Sequence, residues 1–195
     1  MFHHRVLWSA SVASAGLVII GAWACDTAPE PVTPPVVRST APSEHAAQHR
    51  TPSIPHAEVA RELDALRQLT APFRDFERAK QAGWNTQITS CLDSPEGGMG
   101  FHYGNAAYID GEASVLKPEL LMYEPQRNGR MRLVGVEYIV PLSAWTRPDP
   151  PKLFGLPFHV NAAFGVWALH VWLWRENPAG LFADWNPKVS CANAP

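Results

Sequence analysis

The chain has 195 residues, with 16 Lys and Arg against 18 Asp and Glu and a formal net charge of −2. It carries no run of basic residues, which excludes the electrostatic footprint of a nucleic-acid-binding protein. No Gly-rich phosphate loop and no Gly-x-Ser-x-Gly elbow occurs, so the sequence gives no support to a nucleotide-binding protein or a serine hydrolase.

The first 24 residues read as an export signal. His3, His4 and Arg5 make a weakly basic start, an apolar run follows from Val6 to Gly21, and Ala22-Trp23-Ala24 places small residues where a signal peptidase cuts. An uncleaved anchor is the alternative, since Val6 to Ala24 is nearly long enough to span a bilayer. Ser9, Ser11 and Ser14 interrupt that run and favour the signal. Cys25, directly after it, resembles the acylated cysteine of bacterial lipoproteins, although Ala22 and Trp23 depart from the usual pattern. Lipidation of Cys25 is the expectation and plain secretion the alternative. Residues 25–55 are a linker stiffened by Pro29, Pro31, Pro34, Pro35, Pro42, Pro52 and Pro55. His45, His49 and His56, in or beside it, read as solvated tether residues. The expected arrangement is a domain over residues 56–195, held at a membrane by an N-terminal lipid in the cell envelope.

His56 to Ala82 has helical periodicity, with Val59, Leu63, Leu66, Phe73 and Phe76 at three- and four-residue steps. Pro72 breaks it into a helix pair, with Thr70 as the expected N-cap of the second helix and Gly83 as its stop. The glycine run Gly97-Gly98-Met99-Gly100 reads as a loop. Leu120 to Glu124 and Arg130 to Val140 flank Asn128-Gly129, a strong hairpin signal. Strict alternation puts Val134, Val136, Tyr138 and Val140 on one face of the second strand, and Leu133, Gly135, Glu137 and Ile139 on the other. Pro141 stops that strand. A further strand over Trp167 to Trp174 sets His170, Trp172 and Trp174 on one face. Helices followed by antiparallel strands define an α+β domain.

Cys91 and Cys191 are the cysteines left to this domain. In an oxidising compartment they most simply form a disulfide, closing a loop of about 100 residues; a Cys/His metal site is the alternative.

Three histidines lie in apolar stretches: His102 after Gly100-Phe101, His159 after Pro157-Phe158, and His170 within Leu169-His170-Val171-Trp172. An imidazole is costly to bury unless both nitrogens are satisfied. Glu137, flanked by apolar residues on its strand face, could be a fourth ligand or a hydrogen-bond partner. Nitrogen ligands with an optional carboxylate suit copper, zinc or iron, with copper or zinc the first expectation in an exported protein. The alternative makes each histidine a structural residue with its own backbone partner. Tyr103, Asn105, Trp145, Trp167, Trp172, Trp174, Asp184 and Trp185 could line a stacking surface for a flat ligand, with core packing as the competing reading.

The segments Phe73-Arg74-Asp75-Phe76, Gly98-Met99-Gly100-Phe101-His102-Tyr103, Val136-Glu137-Tyr138, His170-Val171-Trp172-Leu173-Trp174 and Phe182-Ala183-Asp184-Trp185-Asn186-Pro187 together resemble a family of uncharacterised bacterial exported proteins. The resemblance covers about residues 70–191. It implies an envelope location and brings no activity. Two functions therefore compete: a membrane-tethered metal-binding protein, and a non-catalytic ligand-binding or scaffold lipoprotein whose His and Trp residues are structural.

Overall fold

A computed structural model describes residues 56–195. The expected signal peptide, Cys25 and the proline-rich linker lie outside the described residues. Among the described residues, no helix is long and apolar enough to cross a membrane.

The helical segment forms as its periodicity requires. Helix α1 spans His56–Thr70 and turns Leu66, with Val59, Leu63 and Leu69, toward the sheet. A 3-10 turn, Ala71–Arg74, follows, and a second short helix α2 spans Phe76–Gln81. Thr70 holds the N-cap position of that 3-10 turn, with Pro72 in its first turn, but its side chain makes no cap hydrogen bond. Its backbone is already helical, and its hydroxyl donates back to the Leu66 carbonyl at 2.8 Å. Asp75 caps α2 instead, accepting from the Glu77 and Arg78 amides at 3.1 and 3.5 Å. Pro72, which lacks a donor, is absorbed by the 3-10 turn. Gly83 ends α2 at φ +110°.

The sheet comprises β1 (Trp84–Gln87), β2 (Leu92–Ser94), β3 (Gly97–Asn105), β4 (Leu120–Pro125), β5 (Met131–Pro141), β8 (His159–Asn161) and β9 (Val166–Val171). A small ribbon of β6 (Lys152–Leu153) and β7 (Leu156–Pro157) stands apart. Strand order is β1-β3-β4-β5-β9-β8, with β2 also paired to β3 and every pairing antiparallel. The fold is α+β: a helical N-terminus, then a mainly antiparallel sheet. The β4–β5 hairpin turns at Asn128-Gly129, where Gly129 has φ +75°.

Strand pairing settles which side chains share a face, and one alternation differs from expectation. A bulge lies where Met122 pairs with Gly135 but Tyr123 pairs with Leu133, so Val134 is the extra residue. Leu133 therefore joins Val136, Tyr138 and Val140 in the main core with Leu66, Leu121, Tyr123, Leu169 and Val171, while Val134 packs with Met122, Trp172 and Val189 in a separate cluster. The strand expected to run to Trp174 ends at Val171. Trp172 stacks at 13° on His170, whereas Trp174 packs with the main core.

The expected glycine loop is instead the start of β3. Its glycines are needed because the C-terminal segment lies across them. Gly98 bridges to Asn186, and a Cβ on Gly98 would stand 2.7 Å from the Val189 carbonyl. That segment is fastened by the Cys91–Cys191 disulfide, whose Cα atoms are 5.7 Å apart, and by the buried Asn186 and Glu124 side chains.

Candidate metal centre

His102 on β3, Glu137 on β5 and His170 on β9 reach one point from three strands. Glu137 and His170 are register partners, directly opposite one another. His102 pairs with Met122 on the intervening β4, so its side chain crosses β4 to reach Glu137. The shared face follows from the two-residue period of each strand, with the core residues Val136, Tyr138, Leu169 and Val171 directed to the opposite side.

All three side chains are buried, and one ligand atom from each lies within 4.8 Å of the others. Glu137 Oε2 is 3.3 Å from His102 Nε2, and Glu137 Oε1 is 3.5 Å from His170 Nε2. Tetrahedral ligands held at about 2.0–2.1 Å from one ion stand about 3.3 Å apart, so the carboxylate-to-imidazole spacing suits a shared ion. The His170 Nε2 atom is buried with no hydrogen-bond partner.

The other ring nitrogens are held from behind. His102 Nδ1 is 2.9 Å from Thr89 Oγ1, and His170 Nδ1 is 3.2 Å from Asp184 Oδ1. In the tautomer that leaves both Nε2 lone pairs toward the centre, Nδ1–H donates to Thr89 and to Asp184. An outer carboxylate or hydroxyl behind a ligating imidazole fixes the ring and raises its basicity. Thr89 sits on the β1–β2 connection, which lies close over the sheet because Gly104 has no side chain; a Cβ there would stand 2.9 Å from Ile88.

The electrostatics divide the two imidazoles. Burial pulls His102 down to about 4, against the charge of Glu137. Burial also pulls His170 down, but the Glu137 charge and the hydrogen bond and charge of Asp184 together outweigh it and hold His170 above its ordinary value. The hydrogen bond from His170 holds Asp184 below the usual carboxylate range. A proton would compete with any metal ion held at the His170 Nε2 atom.

His159 is not brought into the ligand group. It lies on the edge strand β8 opposite Ala168, with its side chain 44% exposed and its Nε2 3.5 Å from Asp184. Its ring stacks at 6.4 Å from that of His170, so it flanks the centre on the far side of Asp184. Of the expected set, the structure assembles His102, Glu137 and His170.

Three of the five tryptophans named for a stacking surface are engaged by the protein itself. Trp172 Nε1 donates to Ala183, Trp174 Nε1 to Thr70, and Trp145 Nε1 to Asp149, while Arg147 covers Trp145 at 4.5 Å. Their donors are satisfied internally, as core or rim packing requires. Thr89 is the residue that sequence reasoning missed: nothing local in Thr89-Ser90-Cys91 marks it, because its role depends on the fold of the connection over β3. Asp184 was visible as a residue and not as a partner of His170.

No family model, curated protein or solved structure matches this chain. The reading of the site therefore rests on its own geometry.

Proposed function

We propose that this chain is an exported, membrane-tethered protein that binds one transition-metal ion, zinc in first place and copper in second, through His102, Glu137 and His170. The observation that carries the reading is the pairing of an inner and an outer shell: two buried imidazoles turn Nε2 toward one carboxylate while Thr89 and Asp184 hold each Nδ1. A purely structural histidine would have its second nitrogen satisfied, and that of His170 is not. Two nitrogens and one carboxylate form a zinc set with a coordination position left open, the arrangement of catalytic rather than structural zinc sites.

The test is metal analysis of the full chain purified from a periplasm, alongside His170→Ala and Glu137→Gln. One zinc or copper per chain, lost in both variants, is the expected result. Metal-stripped protein should melt at a lower temperature and recover on metal addition, since an ion at 100 times its Kd adds about 2.7 kcal/mol. Absence of stoichiometric metal, with no change in Tm on adding zinc or copper, refutes the proposal. Loss of lipid labelling in Cys25→Ser tests the tether separately.

A further inference from the structure

The ligand set leaves one side of the cluster uncovered, and that side faces a cavity of about 160 Å³. His102, Glu137 and His170 line one part of it, and Ile88, Leu92, Met99, Ile139, Phe164 and Val166 supply apolar walls. Thr89 and Asn161 are its further polar residues, and neither Lys nor Arg lines it. Ile88 and Phe164 are 41% and 54% exposed, so two of these walls also form a rim open to solvent.

Size and charge together define what would fit. An apolar cavity of roughly 150 Å³ holds a benzene ring. A divalent ion bound by two neutral imidazoles and one carboxylate retains a single positive charge. The Asp184 carboxylate is hydrogen-bonded to the outer nitrogen of His170 and is half exposed, so it does not serve the cavity side. With no cationic side chain in the lining, the ion itself is the partner for an anionic donor. We propose, resting on the metal reading above, that the cavity takes a small monoanionic organic acid: an apolar body of about six carbon atoms, with its oxygen anion completing the coordination of the ion.

The experiment uses the full chain loaded with Co²⁺, whose ligand-field absorption reports a change of donor. Cobalt stoichiometry is measured first, then benzoate, acetate and benzylamine are titrated. Benzoate is expected to shift the spectrum at a concentration at least about tenfold below acetate, because its ring is removed from water, while the cation benzylamine produces no shift. Val166→Phe should fill the cavity and abolish the preference for benzoate with cobalt stoichiometry unchanged. Phe164→Ala, at an exposed position that folding does not depend on, should weaken benzoate and leave acetate as it was. Equal potency of benzoate and acetate overturns the inference, as does benzoate binding that is identical with and without the metal. Both results leave stoichiometric cobalt in place and so spare the metal reading. Failure to bind cobalt overturns the two together.

Discussion

Glu119 offers a sharp test of the electrostatics around the sheet. Its side chain is 1% exposed and accepts a hydrogen bond from the Ile139 amide at 3.1 Å. Burial pushes its carboxyl from 4.5 up to about 8, with that hydrogen bond opposing the shift. A carboxyl raised in this way contributes stability that is full below pH 4.5 and is lost as the pH climbs toward 8, because the unfolded chain releases the proton first. At about 1.4 kcal/mol per pH unit, the raised carboxyl costs the native state about 3 kcal/mol at pH 7 and about 4 kcal/mol at pH 8, where the folded protein also begins to release the proton. Glu119→Gln keeps an acceptor for Ile139 and removes the titration. The variant should match the natural protein near pH 4.5 and exceed it by about 3 kcal/mol at pH 7, the gap widening with pH. Urea unfolding of both proteins at pH 4.5, 6, 7 and 8 measures that difference and cancels the titrations they share. A difference that stays flat across this range refutes the reasoning.

Asp184→Asn should lower zinc affinity by about 10- to 100-fold in competition titrations with a chromophoric chelator, with the fold retained because Asp184 is half exposed. Replacing Cys91 and Cys191 by Ala releases a loop of 100 residues and should cost about 4–5 kcal/mol in denaturant unfolding; a loss under 1 kcal/mol would contradict the chain-entropy account. Tyr123→Phe removes the 2.7 Å bond from its hydroxyl to the Phe73 carbonyl, which ties the 3-10 turn to the sheet, and should cost about 1–2 kcal/mol by thermal unfolding.

Much of the fold was legible because its strongest signals are local. The period of Val59, Leu63 and Leu66, the Asn128-Gly129 turn and the stop at Pro141 each need only their neighbours to act. The errors fall where a distant segment decides. Thr70 stands where a cap would, but its hydroxyl donates to Leu66 and accepts from the distant Trp174 indole, and the capping bonds of α2 come from Asp75. The bulge at Val134 is set by pairing with β4, and no count along β5 alone would find it. Gly97 to Gly100 looks like a loop until the C-terminal segment is laid across it. At the site, His102, Glu137 and His170 were recoverable from their apolar surroundings. The same signal also admitted His159, which follows the buried Phe158 but opens the edge strand β8 with its side chain 44% exposed, outside the group that His102, Glu137 and His170 form.

The pairing of Glu137 with His170 ties the site to the alignment of β5 against β9. Sliding β9 by a single residue would set Leu169 or Val171 opposite Glu137 and throw His170 to the other side of the sheet. What forbids the slide is the need to bury Leu169 and Val171 among the core residues, not any attraction between the ligands. The hydrophobic pattern thus works as the address of a polar centre. β9 also joins about 30 residues after β5 has paired locally with β4, so the three ligands come together only when the last central strand docks. An unfolded chain holds no such centre, because His102, Glu137 and His170 lie on three strands that meet only in the paired sheet.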